Sequence, residues 1–160
     1  MNAAGDKSAP VALARSGAPA KQKILLVDDD PAIRQILCRL LTEEEYSVLT
    51  AANGVEALGL VDTTELDLIV LDLNMPVKDG WETCNQLCVK NPLLPVILIT
   101  GRPNQYFSAV ASGVSALLEK PLDFLKLLST IQTLLKESTE ARQAGHNARP
   151  TTFCYVPWTP

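Results

Sequence analysis

Short apolar runs alternate with segments of helical spacing from residue 23 onward. Each run is nearly continuous, and in most of the segments between the runs apolar residues recur every three or four positions. A continuous apolar run is typical of a strand that is buried on both faces, and the recurring spacing is typical of an amphipathic helix. The pattern therefore predicts five strands, at residues 23–28, 46–50, 66–71, 96–100 and 115–119.

The helices between these strands are predicted with unequal clarity. Asp30 is placed to cap the first helix, Pro31 suits its first turn, and an apolar stripe follows. The last helix holds one apolar face from residue 124 to 135 and closes the domain near residue 138. Weaker helices are predicted at 54–61, 81–90 and within 104–112. A strand–helix unit repeated five times predicts an α/β fold with a doubly wound parallel sheet.

The chain length allows one domain of ordinary size with short extensions. It has 160 residues and a mass of 17.3 kDa, and 47% of its residues are hydrophobic, which is enough for a packed core. We expect a flexible N-terminal arm (1–22), one folded domain (23–138) and a C-terminal tail without an independent fold (139–160). A second folded output module would not fit in this length.

Charge and cysteine pattern narrow the classes of function. The net charge of -4 and the pI near 5.0 argue against direct nucleic-acid binding. No apolar run reaches the length of about 18 residues that a membrane span needs, and no signal peptide is evident. The four cysteines, at positions 38, 84, 88 and 154, lack the spacing of a zinc site and are expected to be buried thiols. We therefore expect a cytoplasmic protein that binds no membrane.

Polar residues end the predicted strands at unusual density. The first strand ends at Asp28-Asp29-Asp30, the third at Asp72, the fourth at Thr100 and the fifth at Lys120. In an open parallel sheet, ligands bind outside the carboxyl ends of the strands. Two acidic sites, a hydroxyl and an amine are therefore expected to converge there.

Several carboxylates at one sheet edge need a compensating cation. Two carboxylates ~4 Å apart repel each other by about 4 kcal/mol at an effective dielectric constant of 20. Oxygen ligands favour Mg²⁺, Mn²⁺ could substitute, and zinc is disfavoured. This set of charges suits phosphoryl transfer, with Asp29 and Asp28 holding the metal, Asp28 partly through water, and Asp72 attacking phosphorus. Thr100 and Lys120 would bind the phosphoryl oxygens.

With these residues, the chain resembles a receiver domain of a two-component response regulator from residue 23 to about residue 138. The motifs that carry the resemblance are Ile24-Leu25-Leu26-Val27-Asp28-Asp29-Asp30-Pro31, Asn53-Gly54-Val55-Glu56-Ala57-Leu58, Asp72-Leu73-Asn74-Met75-Pro76 with Asp79-Gly80, Ile99-Thr100-Gly101 and Glu119-Lys120-Pro121. Each motif alone is weak, but five in this order are specific.

The resemblance implies a flavodoxin-like (βα)5 three-layer sandwich with strand order 2-1-3-4-5. It implies that Asp72 accepts a phosphoryl group from a histidine kinase or a histidine phosphotransfer protein, and that the chain signals by protein–protein interaction with an unknown downstream target. It also implies Mg²⁺ coordination by Asp29, Asp72 and the backbone carbonyl of Asn74, and a cis Lys120–Pro121 bond. Such a protein catalyses only its own phosphorylation and dephosphorylation, and its short tail resembles the stand-alone, single-domain class.

One departure from the family pattern keeps alternatives open. The position three residues before the lysine usually holds Tyr or Phe and here holds Leu117. Switching is then expected to act through Thr100 and the loop that follows it. A receiver-like binding module that works without phosphorylation is one alternative. A Mg²⁺-dependent phosphohydrolase is a weaker one, because such enzymes need a second acid two residues after the nucleophile, where this chain has Asn74.

Overall fold

The computed structural model describes residues 20–75, 80–143 and 153–158. Most of the predicted arm (1–22) and the 76–79 part of the Asp72 motif lie outside these ranges, as does much of the predicted tail. Within the described ranges, six strands and five helices alternate along the chain.

Before the end of the last helix, the bounds of the elements agree closely with the sequence-based predictions. The strands are β1 (Lys23–Val27), β2 (Ser47–Ala51), β3 (Leu68–Asp72), β4 (Val96–Thr100), β5 (Ala116–Glu119) and β6 (Cys154–Val156). The helices are α1 (Pro31–Glu43), α2 (Gly54–Thr63), α3 (Gly80–Lys90), α4 (Tyr106–Ser112) and α5 (Phe124–Gln143).

The strands form one parallel sheet in the order β2-β1-β3-β4-β5-β6. Alternate residues of each strand face opposite sides, so Leu25 and Val27 join one core cluster while Ile24 and Leu26 join the other. The first cluster contains buried residues of α2, α3 and α4, and the second contains those of α1 and α5. This confirms the doubly wound α/β sandwich of three layers and the order 2-1-3-4-5 for the predicted strands.

Local side-chain caps explain where the first two helices begin. The Asp30 carboxylate accepts hydrogen bonds from the backbone N–H groups of Ala32 (2.8 Å) and Ile33 (3.3 Å), as predicted. At α2, Asn53 Oδ1 accepts from the Glu56 N–H while the Glu56 carboxylate accepts from the Ala52 N–H. Both arrangements satisfy backbone donors that have no partner within the helix.

The C-terminal region differs from its prediction. Helix α5 runs to Gln143 rather than ending near residue 138. A sixth strand, β6, pairs in parallel with β5, and the sequence pattern does not predict this strand. Three residues are too few to show a periodicity, and their pairing depends on the otherwise unpaired edge of β5. The division into arm, domain and tail stays a prediction, but part of the predicted tail belongs to the sheet.

Two further expectations can be compared with the structure. Cys84 is buried as predicted, but the prediction is wrong for Cys38, Cys88 and Cys154, which are partly exposed because they lie at the margins of the core or on the edge strand. In the described part of the chain, no helix is both long and apolar enough to cross a lipid bilayer.

Candidate functional site

The carboxyl ends of four neighbouring strands bring the predicted site residues to one edge of the sheet. Asp28 directly follows β1, Asp72 ends β3, Thr100 ends β4 and Lys120 directly follows β5. Because β1, β3, β4 and β5 are adjacent and parallel, these ends lie side by side. The sheet therefore gathers residues that are far apart in the sequence.

Three carboxylates crowd together at this edge. One oxygen from each of Asp28, Asp29 and Asp72 lies within 4.8 Å of the others. Asp28 and Asp72 are each only 2% exposed. Burial raises the pKa of Asp28, the charges of Asp72 and Asp29 raise it further, and the hydrogen bond from the Asp30 N–H and the Lys120 charge oppose the rise.

The donor set fits a hard divalent cation. All three side chains offer carboxylate oxygens, the ligands that Mg²⁺ and Mn²⁺ prefer. The raised pKa of Asp28 indicates that nearby positive charge does not offset its burial and its acidic neighbours. A divalent ion would supply the missing charge. The position of the Asn74 carbonyl as a further ligand stays a prediction.

Lys120 reaches a buried carboxylate of the site. Its Nζ donates to Asp72 Oδ2 at 2.8 Å, and the Asp72 side chain is 3% exposed. The other oxygen, Asp72 Oδ1, accepts from the Asn74 N–H at 3.0 Å. Both carboxylate oxygens are thus oriented by donors, which holds Asp72 in one position. The Lys120–Pro121 peptide bond is cis, as predicted.

Thr100 is fully buried, and its hydroxyl bonds to the loop after β4. Thr100 Oγ1 accepts from the Arg102 N–H at 3.0 Å and donates to the Arg102 carbonyl at 3.4 Å. Its place at the end of β4 agrees with the prediction. The direction of its hydrogen bonds could not be foreseen, because an ST-type turn depends on the backbone that follows.

Two groups at the site were missed by the sequence analysis. Asn74 was predicted only through its carbonyl, yet its side chain packs beside Gly101, where an added Cβ would lie 3.1 Å from Asn74 Nδ2. Asn74 Oδ1 is buried and has no hydrogen-bond partner among the described residues. Arg34 on α1 donates from Nη1 to the Asp28 carbonyl at 2.6 Å and braces the loop after β1. No local sequence signal marks either contact.

The comparisons with known proteins agree with this geometry. The family model described as response regulator receiver domain matches residues 24–132. The response regulator MprA of Mycolicibacterium vanbaalenii is 37% identical over 131 residues, which cover 81% of this chain and 57% of that protein. The chain thus spans little more than half the length of this curated relative.

Solved structures share the fold. A CheY-like response regulator receiver domain protein from Methanospirillum hungatei has a TM-score of 0.72 at 28% identity and covers 76% of this chain and 98% of its own. The response regulator TrrA from Thermotoga maritima, in complex with Mg²⁺-BeF, has a TM-score of 0.65 at 31% identity and covers 70% and 97% respectively.

Proposed function

The chain belongs to the response regulator receiver domain family, and from this premise we propose that Asp72 is its phosphoacceptor. The phosphoryl donor is a phosphohistidine on a histidine kinase or a histidine phosphotransfer protein. The observation that carries the proposal is the pair of donors that hold Asp72, the Lys120 ammonium at 2.8 Å and the Asn74 N–H at 3.0 Å, beside two further carboxylates. A carboxylate held in this way is suited to act as a nucleophile.

The transfer step needs one bond formed and one broken. A carboxylate oxygen of Asp72 attacks phosphorus, the phosphorus–nitrogen bond to the donor histidine breaks, and the imidazole leaves with the bonding electron pair and takes up a proton. Lys120 stabilises the charge on the phosphoryl oxygens, and the Thr100 hydroxyl donates a further hydrogen bond to them. Water later hydrolyses the acyl phosphate, which restores the carboxylate and releases inorganic phosphate. The chain thus catalyses only its own phosphorylation and dephosphorylation.

The metal ligands of the proposal are Asp28, Asp29, Asp72 and the backbone carbonyl of Asn74. Mg²⁺ is the expected ion and Mn²⁺ a substitute, because all four ligands offer oxygen. When bound, the ion neutralises carboxylate charge and attracts the phosphoryl oxygens. The solved structure of TrrA with Mg²⁺-BeF supports a site of this kind in a relative with 31% identity.

The output of the proposed phosphorylation is a change in binding to another protein. A cytoplasmic location and a downstream protein target belong to the same proposal. Leu117, which is fully buried in β5, stands where the family usually has Tyr or Phe. This departure favours the second candidate, a binding module whose partner does not distinguish the phosphorylated from the unphosphorylated chain. Equal partner affinity for phosphorylated wild type and Asp72→Asn would favour that candidate.

Labelling with a small phosphoryl donor tests the central role of Asp72. We expect acetyl phosphate with Mg²⁺ to add one phosphoryl group to the wild-type chain, measured by intact-protein mass spectrometry. Asp72→Asn should remain unlabelled, because an amide is a poor nucleophile, and a chelator should prevent labelling of the wild type. Asp62→Asn is the matched control, since Asp62 is an exposed residue of α2 that pairs with Lys90, and it should label normally. Equal labelling of wild type and Asp72→Asn would rule out the assignment.

A further inference from the structure

Residues 153–158 lie along the outer edge of the sheet, and we call them the C-terminal strap. Their middle part, β6, pairs with β5 in the register Ala116↔Cys154 to Leu118↔Val156. The Cys154 N–H donates to the Ser115 carbonyl at 3.0 Å. A three-residue strand makes few backbone hydrogen bonds, so side-chain contacts must contribute much of what holds the strap in place.

The first of these contacts is at Glu119, the last residue of β5. The Tyr155 hydroxyl donates to Glu119 Oε1 at 2.7 Å, and the Trp158 N–H donates to Glu119 Oε2 at 3.2 Å. The hydrogen bond to Glu119 raises the pKa of Tyr155. Glu119 directly precedes Lys120, whose ammonium binds Asp72. The anchor of the strap is therefore the sequence neighbour of a site residue.

The second contact is an aromatic cluster with α4. The ring of Tyr106 packs edge-on against Phe153 (5.6 Å between centroids) and Tyr155 (5.2 Å). Tyr106 begins α4, directly after the 101–105 loop that the Thr100 hydroxyl holds through Arg102. Each contact of the strap is thus connected through the chain to a residue that would bind the phosphoryl group. Glu119 is next to Lys120, and Tyr106 follows the loop that Thr100 holds.

We propose that the C-terminal strap is a phosphorylation-sensitive cover of the β5 edge, and that its departure opens this edge to an extended peptide from a partner protein. The proposal rests on phosphorylation of Asp72. When Thr100 and Lys120 turn toward a phosphoryl group, the Arg102 N–H loses its hydrogen bond to the Thr100 hydroxyl oxygen, and Glu119 moves with Lys120. Tyr106 and Glu119 then no longer fit the strap, and the edge of β5 is left with unpaired backbone groups.

The strap itself indicates the chemistry of the partner. Phe153 packs on the core cluster of the α4 side, and Tyr155 contacts Tyr106 on α4, so the two rings lie two positions apart on one face of an extended segment. Glu119 accepts two hydrogen bonds from the same segment. A peptide with aromatic residues two positions apart and a donor for Glu119 would pair with β5 in the same way.

Hydrogen exchange on the full chain tests the departure of the strap. We expect amides of residues 154–158 to exchange about tenfold faster after acetyl phosphate and Mg²⁺ have labelled Asp72, and to stay unchanged in Asp72→Asn. Mass spectrometry of the same samples measures the labelling. Labelling without faster exchange would contradict the proposed departure of the strap and leave the assignment of Asp72 as phosphoacceptor intact. Absence of labelling would overturn both proposals.

A pair of tyrosine variants tests the anchor without any phosphoryl group. Tyr155→Phe keeps the ring and removes the hydroxyl, so the strap should exchange faster in the unmodified chain. Tyr46→Phe is the matched control, because Tyr46 directly precedes β2 at the opposite edge of the sheet. Removal of the Tyr46 hydroxyl should leave the exchange rates of the strap unchanged. Equal strap exchange in the two variants would contradict the anchoring role of Glu119.

A peptide probe tests the opened edge. A fluorescent peptide with the sequence of residues 153–158 should bind the phosphorylated full chain about tenfold more tightly than the unphosphorylated chain, measured by anisotropy. Equal affinity of the peptide for both forms would contradict the proposal that phosphorylation opens the β5 edge. Dimerisation of the phosphorylated chain that excludes the peptide would also overturn it, since a second copy would then be the occupant.

Discussion

Removing one charge from the acidic cluster should stabilise the metal-free protein. Asp28→Asn keeps the shape of the side chain, and the Asn oxygen can still accept the hydrogen bond that the Asp30 N–H donates at 2.8 Å. The hydrogen bond from Arg34 is also kept, because it goes to the backbone carbonyl of residue 28. The substitution therefore changes mainly the charge of a side chain that is 2% exposed.

The size of the effect follows from the spacing of the carboxylates. At the 4.8 Å limit that joins the three oxygens, each pair of charges repels by about 3 kcal/mol at an effective dielectric constant of 20. Asp28 faces two such charges, and Lys120 offsets part of the repulsion. Solvent near Asp29 weakens it further. We expect the free energy of unfolding of the metal-free protein to rise by about 1 to 3 kcal/mol in Asp28→Asn.

Urea unfolding with and without Mg²⁺ measures this change. In chelator, the variant should unfold at higher urea than the wild type, and with Mg²⁺ it should gain less stability than the wild type because a ligand is lost. Asp30→Asn is the matched control. It removes a neighbouring charge outside the cluster, and Asn caps a helix as well as Asp does, so its stability should change little.

The pH dependence gives the same prediction a second form. The pKa of Asp28 is raised by burial above its ordinary value of 3.8, so the folded chain binds a proton more readily than the unfolded chain. The destabilisation by the charged form is fully present above the raised pKa and disappears as the pH falls through it. The difference in the free energy of unfolding between Asp28→Asn and the wild type should therefore shrink as the pH falls through the raised pKa. A metal-free Asp28→Asn that is less stable than the wild type at neutral pH would refute the reasoning.

Three further predictions concern single contacts. Thr100→Val should slow the labelling of Asp72 by acetyl phosphate about tenfold, because one hydrogen bond to a charged group is lost, and a rate equal to wild type would exclude a role of the hydroxyl. Leu117→Ala should lower the free energy of unfolding by about 2 to 5 kcal/mol in urea, since the side chain is fully buried, while the folded fraction still labels. Ultraviolet titration should show two tyrosines, Tyr46 and Tyr155, that ionise above the ordinary pKa of 10.0, and only the first of them in Tyr155→Phe. The hydrogen bond to Glu119 should hold below pH 10.0 and be lost as the pH rises through the raised pKa.

The sequence alone determined the order of the first five strands and of the five helices, and which polar residues end or follow those strands. Continuous apolar runs identify buried strands because such a run can be covered on both faces only inside a layered sheet. Asp72, Thr100 and Lys120 could be selected because they follow or end such runs, and parallel strands deliver their carboxyl ends to one edge. These conclusions need only local pattern and the general geometry of a parallel sheet.

Contacts between distant segments were decided by the tertiary structure. The apolar pattern of residues 154–156 is too short to predict a strand. The segment forms a strand only because the edge of β5 offers unpaired backbone groups. The hydrogen bonds of the Thr100 hydroxyl, the burial of the Asn74 amide oxygen and the raised pKa of Asp28 depend on atoms from several strands and loops. A sequence pattern reports what each segment prefers, whereas these properties arise from distances between segments that only the folded chain sets.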